Sequence, residues 1–424
     1  MKRSLFNSSR LRTCGGAIVV SARSIYSGGS RRSTSVWSFG DNSSGALGIS
    51  SLLLDAYEPA KVPSIPANVT AIAAGHYHSL AVNADGEVWA WGRNEEGQLG
   101  RGLDAPRDKW RQPERVLGLD DVNVQAAYAS GVVSAAVGDD GSLWVWGRSK
   151  RGQLGLGKGV SFGWGHALAF TRDGKLFGWG YAENGRLGKM GEALISSSVQ
   201  EPNFYSSLDK SVSMFDVAEK LVAEKIEKEN NMPIIWVPSL VQELSSIEVS
   251  DAACGLDHSL VLCCDGTVFS SGDNTLGQLG RDTEGTKILP VQINFHPISL
   301  AAGLGHSLLL YQIPSKGDAD EATGILSWGW NSSSQLGRHG PEKVPSPVAG
   351  LDGKRLVSVS AGRVHSISLT SKGEVLTWGS GRNGRLGLGS SVDEAEPTFV
   401  ECLEGFEVLQ AIAGFDHNLL LIAD

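Results

Sequence analysis

Nine histidines occur in the 424 residues, and six of them recur at one fixed place. His78, His166, His258, His306, His365 and His417 each end a Gly-x-x-His tetrad, and Val133 fills the same place in a seventh, residues 130–133. Imidazoles suit general acid–base work and metal ligation, but either task needs a few groups converging at one point. One histidine per repeat is instead the pattern of a structural part, with each ring hydrogen-bonding backbone between strands. His76, His296 and His339 have no ligand partners at metal-binding spacing. The five cysteines, Cys14, Cys254, Cys263, Cys264 and Cys402, include no Cys-x-x-Cys pair. Their odd number at these spacings speaks against a disulfide framework or a zinc site. Residues 155–159, Gly-Leu-Gly-Lys-Gly, lack the spacing of a phosphate loop. No Gly-x-Ser-x-Gly elbow occurs either. An enzyme with its own chemistry, a cofactor or a metal is not expected.

The elements that carry the histidines repeat with them. A second motif, Gly-x-Leu-Gly or a close relative, appears seven times and is anchored by Leu47, Leu99, Leu154, Leu187, Leu279, Leu336 and Leu386. From the start of a tetrad to the last Gly of the following motif is 25 residues in five units. Between the two motifs the pattern is a hairpin. In residues 75–100, a short apolar run at 79–82 meets the turn Asp85-Gly86 and returns through 88–91. An aromatic-Gly pair such as Trp91-Gly92 or Trp378-Gly379 closes most of the returning strands. Pro-containing segments at 58–62, 112–116, 237–241, 289–293, 344–348 and 396–400 suit outer edge strands, where Pro is tolerated.

About four short strands per unit of roughly 50 residues is the signature of a propeller blade. The chain begins with one half of a hairpin unit and stops at the other half. The two ends are therefore expected to complete one blade together, which removes the open sheet edges of a linear array. The expected fold is all-β: a seven-bladed β-propeller over 34–424, closed by pairing of N- and C-terminal strands. The motif pair and its period resemble the regulator-of-chromosome-condensation repeat family, over residues from about 34 to 424.

Two gaps between units break the rhythm. Only seven residues, 156–162, separate one motif from the next tetrad, so a blade there is expected to be short of one or two outer strands. At 189–250 a long segment is inserted, and its residues 208–229 read as a helix. Val212, Phe215, Val222 and Ile226 recur at helical spacing, and Phe215 and Val222 are candidate partner contacts. A third irregularity is the longer hairpin at 312–323, whose acidic stretch, Asp318 to Glu321, is a candidate contact for a basic partner.

Residues 1–33 hold seven basic residues and no acid, so the remainder stands at −16 against −9 for the whole chain. Such an Arg- and Ser-rich start reads as a mitochondrial transit peptide, with cleavage near Tyr26. A chloroplast address, or a basic nucleic-acid-binding tail and a nuclear location, are the alternatives. An acidic body is a poor binder of bulk DNA. No apolar run is long enough for a membrane span.

Resemblance to the plant mitochondrial branch of the family implies a non-enzymatic scaffold in the matrix. Its implied partners are proteins such as organellar splicing factors, with RNA bound directly or through them, in support of respiratory complex I biogenesis. The family's founding member implies a different role, nucleotide exchange on a small GTPase, or on a dynamin-like one in mitochondrial members. A third implied role is ultraviolet-B sensing, but those receptors carry Gly-Trp-Arg-His-Thr tetrads, and only Trp164 matches the Trp here.

Overall fold

The computed structural model describes residues 32–49, 55–102, 104–147, 160–163, 165–171, 173–188, 233–282, 287–313 and 322–424. Six four-stranded sheets and one three-stranded sheet follow one another along the chain, all antiparallel between neighbours. They are the seven blades of a propeller, and the expected architecture is the observed one. The first and last strand residues of blades 1 to 6 are 69 and 115, 124 and 147, 160 and 240, 249 and 290, 296 and 347, and 356 and 399.

Blade 7 is made by both ends of the chain. Its sheet order runs Asp55–Lys61, Thr34–Asp41, His417–Ala423, Glu407–Ala413. Thr34 pairs with Ala423 and the register continues to Gly40 opposite His417. The inner two strands come from the C-terminal end and the outer two from the N-terminal end. The seventh blade packs back against the first, so the ring closes.

The order of strands within a blade follows burial. In blade 1 the second strand, His78–Asn83, is buried at every position. It lies between two neighbouring sheets, so its burial is continuous and not alternating, with Leu80, Ala81 and Val82 apolar at its centre. The outer strand of blade 7, Asp55–Lys61, is partly or fully exposed throughout and tolerates Pro59. Proline-bearing outer strands also end blades 3, 4, 5 and 6, at Ile234–Leu240, Leu289–Pro290, Ser346–Pro347 and Glu394–Phe399. Blade 2 has three strands among the described residues, Val124–Ser130, Val133–Gly138 and Leu143–Gly147. The short gap thus follows the one sheet with three strands among the described residues. The 208–229 helix, Phe215, Val222, Leu154, Asp318 and Glu321 all lie outside the described residues, as do residues 1–31.

Core packing sits between blades. One apolar cluster joins Leu80, Val82 and Leu99 to Val124, Ala136 and Trp146, coupling blades 1 and 2. Another joins Val36 and Leu419 to Ile72 and Trp91, coupling blades 7 and 1. Glycine closes each third strand for a local reason. At Gly92, φ is 108°, and a Cβ would lie 2.5 Å from the Tyr77 carbonyl oxygen. Only Gly fits both the dihedral and the approach.

Candidate functional site: the inter-blade relay and the channel it surrounds

The recurrent histidines start the second strand of their blades, and all six are buried. Each reaches into the next blade. His78 Nε2 lies 2.7 Å from Ser134 Oγ, His166 Nε2 2.9 Å from Ser259 Oγ, and His258 Nε2 3.1 Å from Ser307 Oγ. His306 meets Ser366 at 3.1 Å, His365 meets Asn418 Oδ1 at 3.0 Å, and His417 meets Ser79 at 2.9 Å. The expected backbone partner is thus a side chain. Sequence reasoning did not find these partners because they belong to a different blade. The signal was adjacent nonetheless, since each partner directly follows a tetrad.

A direction of proton donation follows. Ser79, Ser134, Ser259, Ser307 and Ser366 each donate their hydroxyl to a backbone carbonyl, those of Ala46, Gln98, Arg186, Gln278 and Gln335. Those carbonyls belong to the residue before the motif leucine. The serine oxygen must therefore accept from the imidazole, which places the ring proton on Nε2. Asn418 obeys the same direction, donating Nδ2–H to the Arg385 carbonyl. The Nδ1 atoms of His78, His166, His258, His306 and His365 are buried without a hydrogen-bond partner among the protein groups. They face the first glycine of their own tetrad, where a Cβ would overlap the ring.

Burial holds these rings neutral. It pushes His78, His306 and His365 down to about 3, His258 and His417 to about 4, and His166 well below the usual imidazole value. Rings so depressed are poor bases near neutral pH. Each serine is already engaged on both sides, so it lacks the free geometry of a nucleophile.

The motif leucines complete the relay. Leu47, Leu99, Leu187, Leu279, Leu336 and Leu386 are fully buried. The carbonyl before Leu47 also accepts from Trp91 Nε1 at 2.8 Å, and the same bond joins Trp146, Trp328 and Trp378 to their preceding blades. In blades 1, 2, 5 and 6 the strand-end tryptophan is thus an inter-blade donor. In two motifs the residue before the leucine is Arg, and it adds a charge. Arg186 pairs with Asp257 at 2.6 Å and Arg385 with Asp416 at 2.7 Å, each in the next blade. Arg363 joins Asp416 at 2.9 Å and lies over the Phe415 ring, which stacks on His76 at 4.2 Å.

One junction departs at three positions together. Between blades 2 and 3, the donor site holds Val133 and the acceptor site holds Ala167. The tetrad glycine is replaced by Ser130, whose Cβ has room because no imidazole covers it. Donor and acceptor side chains are lost together, so neither is left as a buried orphan of the other. Val133, Ala135, Ala167 and Ala169 lie in one apolar cluster instead.

Inside the ring, all seven blades line a central channel, through Ala73, Tyr128, Gly163, Cys254, Ala301, Ser360 and Ile412 among others. Its wall is mostly small side chains and backbone. No group of three or more His, Cys, Asp or Glu able to hold a metal ion occurs among the described residues. Cys254, Cys263, Cys264 and Cys402 form no disulfide among the described residues, and burial pushes Cys263 up to about 12. Among the described residues no helix is long and apolar enough to cross a membrane.

The comparisons with known proteins agree with this geometry. The chain is 27% identical over 358 residues to the E3 ubiquitin-protein ligase HERC2 of Homo sapiens, covering 82% of this chain but only 6% of that protein. It is 26% identical over 384 residues to the ultraviolet-B receptor UVR8 of Arabidopsis thaliana, covering 81% of this chain and 84% of the receptor. The crystal structure of Prp20p from Saccharomyces cerevisiae, described with its binding to Gsp1p and histones, superposes with a TM-score of 0.70 at 21% identity, covering 93% and 92% of the two chains. The model of the RCC1-like domain matches residues 35–420. With that span and a closed ring of seven such repeats, the chain belongs to the RCC1-like domain family.

Proposed function

We propose that the chain is a non-enzymatic protein-binding propeller of the mitochondrial matrix. In this reading it is a scaffold for proteins, including RNA-containing partners, in organellar transcript splicing and thereby in respiratory complex I biogenesis. One observation carries the binding role: the recurrent His, Ser and Trp side chains are occupied by the relay, which leaves the faces and rim for function. Protein partners are in keeping with the Gsp1p and histone binding described for Prp20p. The compartment and process rest on the basic, acid-free composition of residues 1–33 and on the resemblance to the plant mitochondrial branch. Fusing residues 1–40 to a fluorescent reporter tests the address, and a cytosolic or nuclear signal ends that part of the reading. Affinity capture from mitochondria, with and without ribonuclease, tests the partners. Normal organellar intron splicing in loss-of-function tissue would remove the splicing role.

A second reading, nucleotide exchange on a small or dynamin-like GTPase, is favoured by the lengthened hairpin of blade 5. Its strands, His306–Gln312 and Thr323–Gly329, each run seven residues, and ten more residues join them. Accelerated release of labelled nucleotide from a candidate GTPase is its test. The ultraviolet reading lacks the tetrad pattern it needs, and Trp164 lies outside the described residues.

A further inference from the structure

The face of the ring opposite the tetrads carries a two-part surface that the relay does not use. On this face lie the hairpin tips and the starts of the inner strands. Six of the seven inner strands break register there at the same level, leaving Thr70, Gln125, Ser250, Ile298, Val357 and Leu409 at bulged positions. A bulge turns its residue out of the ladder. In blades 1, 2 and 4 the bulged residue is polar. In blades 5, 6 and 7 it is apolar, with Ile298 44% and Val357 49% exposed.

Further large apolar side chains extend the same arc. Phe295 and Ile313 of blade 5 and Phe406 of blade 7 are all exposed. Phe295 lies against Tyr311 at 4.2 Å, and Phe406 against Trp37 at 5.3 Å, so both are held in place. The hairpin tips of the other four blades are acidic: Asp85, Asp139, Asp140, Asp173 and Asp265 are all exposed. Asp173 has Lys175 beside it at 3.6 Å. The mouth is therefore negative along blades 1 to 4, and along blades 5 to 7 it is apolar with Lys354, Arg355, Lys372 and Glu407 interspersed.

We propose that this mouth is a docking surface for a basic amphipathic helix of a partner protein. The apolar side of that helix would lie on Ile298, Val357 and Phe406, with its Lys and Arg side chains facing the acidic tips of blades 1 to 4. Large exposed apolar groups beside one sign of charge mark an interaction surface, and a helix with one apolar and one basic side complements both halves. A second copy of the chain fits less well, because it would bring acidic tips against acidic tips. The proposal shares with the scaffold reading only the assumption of a polypeptide partner, and does not depend on the mitochondrial address.

The test uses the full chain and a fluorescent 18-residue Leu/Lys amphipathic peptide, followed by anisotropy. Oligolysine of equal charge and a Leu/Glu peptide of the same pattern are the controls. The Leu/Lys peptide is expected to bind saturably and the Leu/Glu peptide not to bind. The double variant Ile298→Ser, Val357→Ser should weaken binding about tenfold or more. The variant Asp139→Asn, Asp140→Asn, Asp265→Asn should weaken it similarly and flatten its salt dependence. Thermal melts of both variants check that the ring is intact, and either variant alone is enough to decide. Equal binding of oligolysine, or insensitivity to both variants, overturns the proposal. So does self-association abolished by the apolar variant, or binding seen only after residues 1–31 are removed, since each identifies another occupant.

Discussion

A ring histidine here is useful because it is neutral. With its proton on Nε2 it links two blades, while the buried Nδ1 faces glycine and has no acceptor for a second proton. Removing one link exposes the energetics. Ser307→Ala leaves the His258 N–H and the Gln278 carbonyl without this partner. Loss of about 1–3 kcal/mol is expected in urea unfolding, since the buried His258 N–H is left unmet while the carbonyl keeps Trp328. The same chemistry sets a pH dependence. The folded-state values, about 3 to 4 for five of the rings, lie below the ordinary 6.5. Between those limits the unfolded chain binds more protons than the folded one, so stability is full above 6.5 and lost as pH falls. Each neutral ring contributes a slope of up to about 1.4 kcal/mol per pH unit below that value. The midpoint of urea unfolding should therefore fall steeply from pH 7 to pH 5, and a flat profile would show that the rings are not held neutral.

At the scale of a strand, the repeat works through positions that admit one residue type. Gly92 has φ of 108° with the Tyr77 carbonyl beneath it. Gly92→Ala is expected to cost at least about 1–3 kcal/mol through backbone strain and overlap, measured as a lower thermal midpoint. Ala substitution at Gly102, where φ is also positive but no atom lies within 4 Å of the added Cβ, should cost less. The hairpins were legible in the sequence because Asp-Gly turns and aromatic-Gly ends punctuate them. The outer strands were legible through their prolines. The bulges at Ile298 and Val357 were not, because a register shift depends on which partner strand lies alongside.

For the whole molecule, the junction between blades 2 and 3 stands apart because it lacks the histidine–serine pair. It combines the three-stranded blade with the paired loss of donor and acceptor. Installing only Val133→His should destabilise the ring, because Ser130 would crowd the imidazole and Ala167 offers no acceptor. The triple variant Ser130→Gly, Val133→His, Ala167→Ser should recover that loss and gain about 1 kcal/mol over the natural chain. Non-additive melting midpoints across the single, double and triple variants check this. Additive effects would mean that the three positions are independent.

The number of blades, their strand content and their stitching by the two ends follow from the chain alone, because a period of two motifs recurs along it. So does the shortened blade 2, read from the seven-residue gap at 156–162. Tertiary structure decided what the histidines hold, since their serine and asparagine partners stand one blade away and no local rule spans that distance. It also decided how Ile298, Val357 and Phe406 gather opposite the acidic hairpin tips, because residues far apart in the chain become neighbours only when the ring closes.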